Sequence, residues 1–268
     1  MLRFFRHIRQ RLLNENRVVK YLLYAIGEIL LVVIGILIAL QVDNWNQKRQ
    51  EVDRIKAQLE NVVQDLKADR RALQRLHSFH AYRVHAAYYL IHQFNPKEIV
   101  KAYPEAGPIP ELDETGLFSG PVPDSLDRIF VERGFSWLLR SNPVRPSTDA
   151  IDEFKGTGLY ALFENQEIKN GLRTYYMMFA FTFPRDEVGE PNTTLLRNSF
   201  ASMGYSYLDV YTLEDPVHQL LSNPTNVALI KNIIDESTYR SNQASSILNF
   251  LEELILIIEN EIDNYPSN

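Results

Sequence analysis

Apolar positions along the chain fall into three stretches, one almost unbroken and two that share a heptad period. From Tyr21 to Val42, "YLLYAIGEILLVVIGILIALQV", apolar residues follow one another almost without interruption and enclose a single carboxylic acid, Glu28. Beyond Trp45 the run gives way to a heptad stripe of Val52, Ile55, Leu59, Val62, Leu66, Leu73 and Leu76, with Asp69 as its one polar interruption and charges on the other faces. No Pro or Gly occurs until Pro96, so the spacing predicts one long helix leaving the apolar run. Near the other end, Asn223 and Pro224 form an N-cap and first-turn signal. From there Ser237, Ser241, Ala244, Leu248, Leu251, Ile255, Ile258 and Ile262 keep the same heptad rhythm through a second long helix.

These patterns predict an all-α fold. An N-terminal spanning helix continues into a long stalk, which pairs with a long C-terminal helix in an elongated bundle, with a cap of shorter helices between them. The expected parts are a basic tail over 1–20, the span over 21–42 and the stalk over 43–95. A Pro-rich loop follows over 96–123, then the helical cap over 124–222 and the terminal helix over 224–264. Within the cap, helical signals run from Asp124 to Arg133, Thr148 to Lys155, Asn165 to Phe181, Asn192 to Met203 and Glu214 to Leu221. "YSYLDVY", Tyr205 to Tyr211, alternates as a strand would but is short enough to be helical.

The span is 22 residues long. At 1.5 Å per residue that is roughly 33 Å, against a hydrocarbon core of about 30 Å. Tyr21, Tyr24 and Trp45 sit near its ends, where amphipathic rings favour the headgroup layer. Residues 1–20 carry Arg3, Arg6, Arg9, Arg11, Arg17 and Lys20 against one acid, Glu15, so the positive-inside rule places the N-terminus in the cytoplasm and the rest outside. In "MLRFFRHIRQRLL" Leu2, Phe5, Ile8 and Leu12 recur at helical spacing between arginines, as in a basic helix on an anionic leaflet. The simpler alternative is a short positive tail that only sets topology.

Composition narrows the function classes. The 268 residues are 45% hydrophobic, enough for a packed domain beside an anchor, and the formal charge of −6 argues against a nucleic-acid surface. Without cysteine there is no disulfide, thiolate nucleophile or cysteine-ligated metal. No Gly-rich phosphate loop, G-x-S-x-G elbow or H-E-x-x-H pair occurs, so we expect neither an enzyme nor a cofactor.

Three features invite a site reading. Glu28, Val32, Gly35, Ala39 and Val42 form one stripe of the span, and Gly35 with Ala39 is a small-xxx-small pair that lets two helices approach closely. A carboxylic acid costs on the order of 3 kcal/mol at the centre of a span, so Glu28 is expected in an associating face; a protonated Glu tolerated near the interface is the plainer alternative. His77, His80, His85 and His92 lie within sixteen residues and are weak candidates for metal ligands. On a helix His85 and His92 share a face, while His77 stands about 70° away and His80 further round, which is not ligand geometry. The aromatic run "YYMMFAFTF", Tyr175 to Phe183, suits a buried helix at the centre of the cap better than the lining of a ligand pocket.

The opening "LLYAIGEILLVVIGILIALQVDNWN", with its basic "MLRFFRHIRQRLLNENR", resembles a family of uncharacterised single-span membrane proteins of Gram-negative bacteria, catalogued only as a domain of unknown function. "DAIDEFKGTGLYALFENQEIKNGLRTYY", Asp149 to Tyr176, is similar to that family's second landmark. The resemblance implies an inner-membrane location with a periplasmic helical domain and transfers no catalytic residue. Two readings follow. In the first, the protein is a non-enzymatic scaffold or interaction subunit that contacts the bilayer, itself as a homo-oligomer and another inner-membrane protein. In the second it is a sensor or energy-coupling transducer that uses Glu28 and a membrane partner.

Overall fold

In a computed structural model of the protein every regular element is helical, and among the described residues there is no strand. The structure describes residues 18–94, 97, 100, 104–112, 120–183, 190–206, 209 and 216–265. The chain divides between Ala57 and Gln58 into two compact units.

The first unit is helical from Val18 onward, the start of helix α1, Val18–Phe94. From Leu22 to Val42 none of its side chains is buried. Continuity follows from the sequence: no residue there breaks the backbone ladder, and α1 stops at Phe94, two residues ahead of Pro96.

The second unit is built on the rest of α1 and helix α8, Pro224–Asn264. Both members of the expected cap signal operate in α8: the Asn223 side chain accepts from the Thr225 N–H at 2.9 Å, and Pro224 occupies the first turn. The two helices run antiparallel, since Lys67 pairs with Glu259 at 2.6 Å while His77, further along α1, meets Ser241, earlier in α8. Leu59, Val62, Leu66, Leu73 and Leu76 are buried on one side of the seam, and Ala244, Leu251, Ile255 and Ile258 on the other.

Between them in sequence come α2 (Arg128–Leu138), α3 (Asp149–Gly156), α4 (Leu159–Leu162), α5 (Gln166–Thr182), α6 (Pro191–Ser202) and α7 (Pro216–Leu221). Helix α2 differs from expectation at both ends, starting at Arg128 instead of Asp124 and running past Arg133 to Leu138. Asp127 is the residue that caps it, accepting from the Phe130 N–H at 2.7 Å. Tyr89 of α1 selects that register: its hydroxyl donates to the Ser125 carbonyl at 2.6 Å and accepts from the Asp127 N–H at 2.9 Å. Gly134 allows the helix to continue, because a Cβ there would stand 2.7 Å from the Ala86 Cβ. One large cluster then forms around Tyr82, Leu90, Phe130, Phe135, Phe200 and Ile230, joining α1, α2, α6 and α8. Gly158, at φ +78°, makes the left-handed step from α3 into α4 that other residues rarely adopt.

The described part of the Pro-rich loop contains one 3-10 turn, Pro104–Ala106. Asn242 of α8 holds it by donating to the carbonyls of Ala106 at 2.9 Å and Pro108 at 2.8 Å. Of "YSYLDVY", residues 207, 208, 210 and 211 lie outside the described residues.

Candidate functional site

The stripe that contains Glu28 belongs to α1. Glu28, Val32, Gly35 and Ala39 are all exposed, and a Cβ added to Gly35 would meet nothing within 4 Å. Their neighbours are equally bare, Leu31 being 69% exposed. Apolar area of this kind is unfavourable in water at about 25 cal/mol per Å². Arg3, Arg6, Arg9, Arg11 and Arg17 lie outside the described residues; Lys20 is in the first turns of α1.

The four histidines disperse in the second unit. His77 Nδ1 lies 3.0 Å from the Ser241 carbonyl and 2.9 Å from its hydroxyl, in the α1–α8 seam. His85 Nε2 is 2.8 Å from the Pro110 carbonyl, and His92 is exposed. His80 is fully buried, edge-on to the Phe79 ring. Burial, with Arg83, Arg240 and His77 adding repulsion, holds its pKa well below the usual imidazole value, so the ring is neutral. No group of three His, Asp or Glu side chains among the described residues converges as a metal site.

Two polar groups in the interior escape sequence reasoning. Arg83, also fully buried, donates to Glu190 and, at 2.6 Å, to the Thr193 hydroxyl, which itself donates to Glu190 at 2.8 Å. The Phe79 ring lies 5.3 Å from the guanidinium, and Glu190 Oε1 is 3.6 Å from His80. This ion pair fastens α1 to the start of α6, where Glu190 is the residue before Pro191. The second group explains the interrupted stripe. Asp69 accepts from the Tyr175 hydroxyl at 2.8 Å and from the Ser147 N–H at 2.9 Å, while Asp65, one turn earlier, accepts from the Ala150 N–H at 3.0 Å. Thr148 precedes α3 but makes no side-chain cap bond, so two carboxylates of α1 satisfy that helix entrance from outside. Burial pushes the Asp69 carboxyl above its usual range, partly offset by these bonds. The only sequence signal for either group is a charge inside an apolar stretch, as at "YRVHAAYYL" for Arg83.

The aromatic run is amphipathic, so the expected buried helix is buried along one side. Tyr175, Phe179 and Phe183 are buried, whereas Met177 and Phe181 are exposed, because α5 packs only one side against α8 and α1. Gly171 marks the contact, its missing Cβ leaving room for Leu254. Tyr176, Phe179, Ala180 and Phe183 also face a cleft of about 860 Å³ beside α3.

Residues 28–95 match a family described as a family of unknown function, DUF6090. The match covers the apolar run from Glu28 and the rest of α1 to its end at Phe94, and it stops short of the landmark at Asp149 to Tyr176. No curated protein matches the chain. No solved structure matches it either.

Proposed function

We propose that this protein is a non-enzymatic, single-span subunit of the bacterial inner membrane, with a cytoplasmic N-terminus and a periplasmic helical domain. Its role is that of a scaffold, associating with itself and with another inner-membrane protein through the stripe Glu28, Val32, Gly35 and Ala39. The observation that carries the reading is the bare apolar surface from Leu22 to Val42, which no described part of the chain covers. Lipid covers such a surface most cheaply, and the open Gly35 position suits a second helix. The match to a family without known activity is compatible with this reading.

The test is the native mass of the detergent-purified complex. Gly35→Leu fills the contact and should shift the complex towards monomer. Glu28→Gln keeps a hydrogen-bonding side chain and should leave its mass unchanged. A Gly35→Leu protein of unchanged stoichiometry contradicts the associating face. Loss of cellular phenotype in Glu28→Gln with assembly intact favours the transducer reading over the scaffold, since an ionisable group inside a span marks coupling to a partner.

A further inference from the structure

We infer that the cleft beside α3 and α5 is a binding site for a small amphiphilic anion, one carrying a single carboxylate, sulfate or phosphate head on an apolar body. The site lies wholly within the second unit and is independent of the membrane stripe. Its volume of about 860 Å³ falls in the ~300–1,000 Å³ range of ligand sites.

The lining has two characters. The apolar surface open to a ligand comes from Val144, Pro146, Ala180 and the aromatic walls Tyr160 and Tyr176, over a floor of buried Ile151, Leu172 and Phe179. Tyr176 is fixed by donating to the Ser147 carbonyl at 3.0 Å, and burial raises its pKa, so it presents a neutral ring. The charged part holds Arg145, Lys155, Arg173 and Arg240 against one carboxylate, Asp152. Glu236 balances Arg240 from 3.3 Å. Arg145, Lys155 and Arg173 therefore outnumber Asp152 among the side chains lining the cleft, while Asp65 and Asp69, whose charges also reach Tyr176, are engaged by the Ala150 and Ser147 N–H groups.

A local excess of cations on an acidic protein concentrates anions there. A bare inorganic ion would gain nothing from Val144, Tyr160 and Tyr176, and an uncharged apolar molecule would leave the cations unused. Only a ligand with both parts uses the whole lining. Lys155 already lies 5.8 Å from the centre of the Tyr160 ring, placing cation and aromatic wall side by side.

The test uses the full chain in phosphatidylcholine nanodiscs with radiolabelled dodecanoate, subtracting uptake by empty discs. Saturable binding near one equivalent is expected. Arg145→Glu, Lys155→Glu and Arg173→Glu combined should weaken it by about tenfold or more, tenfold being 1.4 kcal/mol. These side chains are exposed, so a preserved circular dichroism melt will separate lost binding from lost fold. Ala180→Trp fills the cleft without altering charge and should abolish uptake, while Arg133→Glu, exposed and outside the cleft lining, should leave it unchanged. Competition by phosphatidylglycerol in the disc would identify a bilayer lipid as the source of the anion; its absence would identify a free amphiphile. The assignment is overturned if dodecanoate shows no saturable binding, if dodecanol binds as well, if Ala180→Trp retains uptake, or if the triple charge reversal stays within about twofold of wild type.

Discussion

Arg83 and His80 set the residue-scale energetics of the second unit, because each places an ionisable group where water cannot reach it. The guanidinium tolerates burial through Glu190, Thr193 and the Phe79 ring. Glu190→Ala would strand a buried cation, and we expect a loss of about 3–5 kcal/mol in urea unfolding of the full chain in detergent. Arg83→Met with Glu190→Leu should cost less than Glu190→Ala alone, since no charge is stranded; a larger loss would show that the pair itself is net stabilising. His80 gives a pH signature. Its folded pKa is depressed while the unfolded value is about 6.5, so below that pH the unfolded chain takes up a proton that the folded chain refuses. Stability should therefore fall as pH drops from about 6.5 towards 5, by up to ~1.4 kcal/mol per pH unit. Asp69 acts in the opposite direction, its raised folded pKa favouring the fold as pH falls. Comparing wild type with His80→Gln cancels the Asp69 contribution, and the variant should lose the His80 part of the slope. The sequence shows Arg83 only as a charge in an apolar stretch; its pairing was not legible, because Arg83 and Glu190 are 107 residues apart and the packing of α6 on α1 joins them.

At the scale of elements, helix α1 with its stop at Phe94 and helix α8 with its cap at Asn223 were legible, since period and cap residues are local signals. Helix α2 was not, because "DSLD" offers Asp124, Ser125 and Asp127 as caps and the choice among them belongs to the Tyr89 hydroxyl. Asp65 and Asp69 illustrate the same limit: on the sequence Asp69 is a flaw in a stripe, and only α3 and α5 beside it turn the flaw into a cap and an anchor. Gly134 offers a sharp check on the packing of α2 against α1. Alanine is better than glycine in a helix by about 1 kcal/mol, but overpacking against the Ala86 Cβ costs about 1–3 kcal/mol, so we expect Gly134→Ala to destabilise by up to about 2 kcal/mol net. Ala86→Gly should relieve that clash. We expect a favourable coupling of about 1 kcal/mol in the double-mutant cycle, and zero coupling would mean that the two helices do not touch there.

For the whole molecule, the apolar run was the plainest signal in the sequence and is also a surface that no described residue covers. The cleft was hidden for the converse reason: residues 143–183 reach it from four separate stretches, and Arg240 arrives from α8. Membrane crossing is the claim from which the proposed role follows, and the absence of cysteine makes it directly testable. Single cysteines placed at Gln10, Ile36 and Glu252 would be probed with a membrane-impermeant maleimide in intact bacterial cells whose outer membrane has been made permeable. The account predicts labelling of Glu252→Cys in intact cells, of Gln10→Cys only after lysis, and none of Ile36→Cys while the bilayer is intact. Glu252→Cys protected until lysis, or Ile36→Cys labelled as readily as an exposed residue, would contradict it.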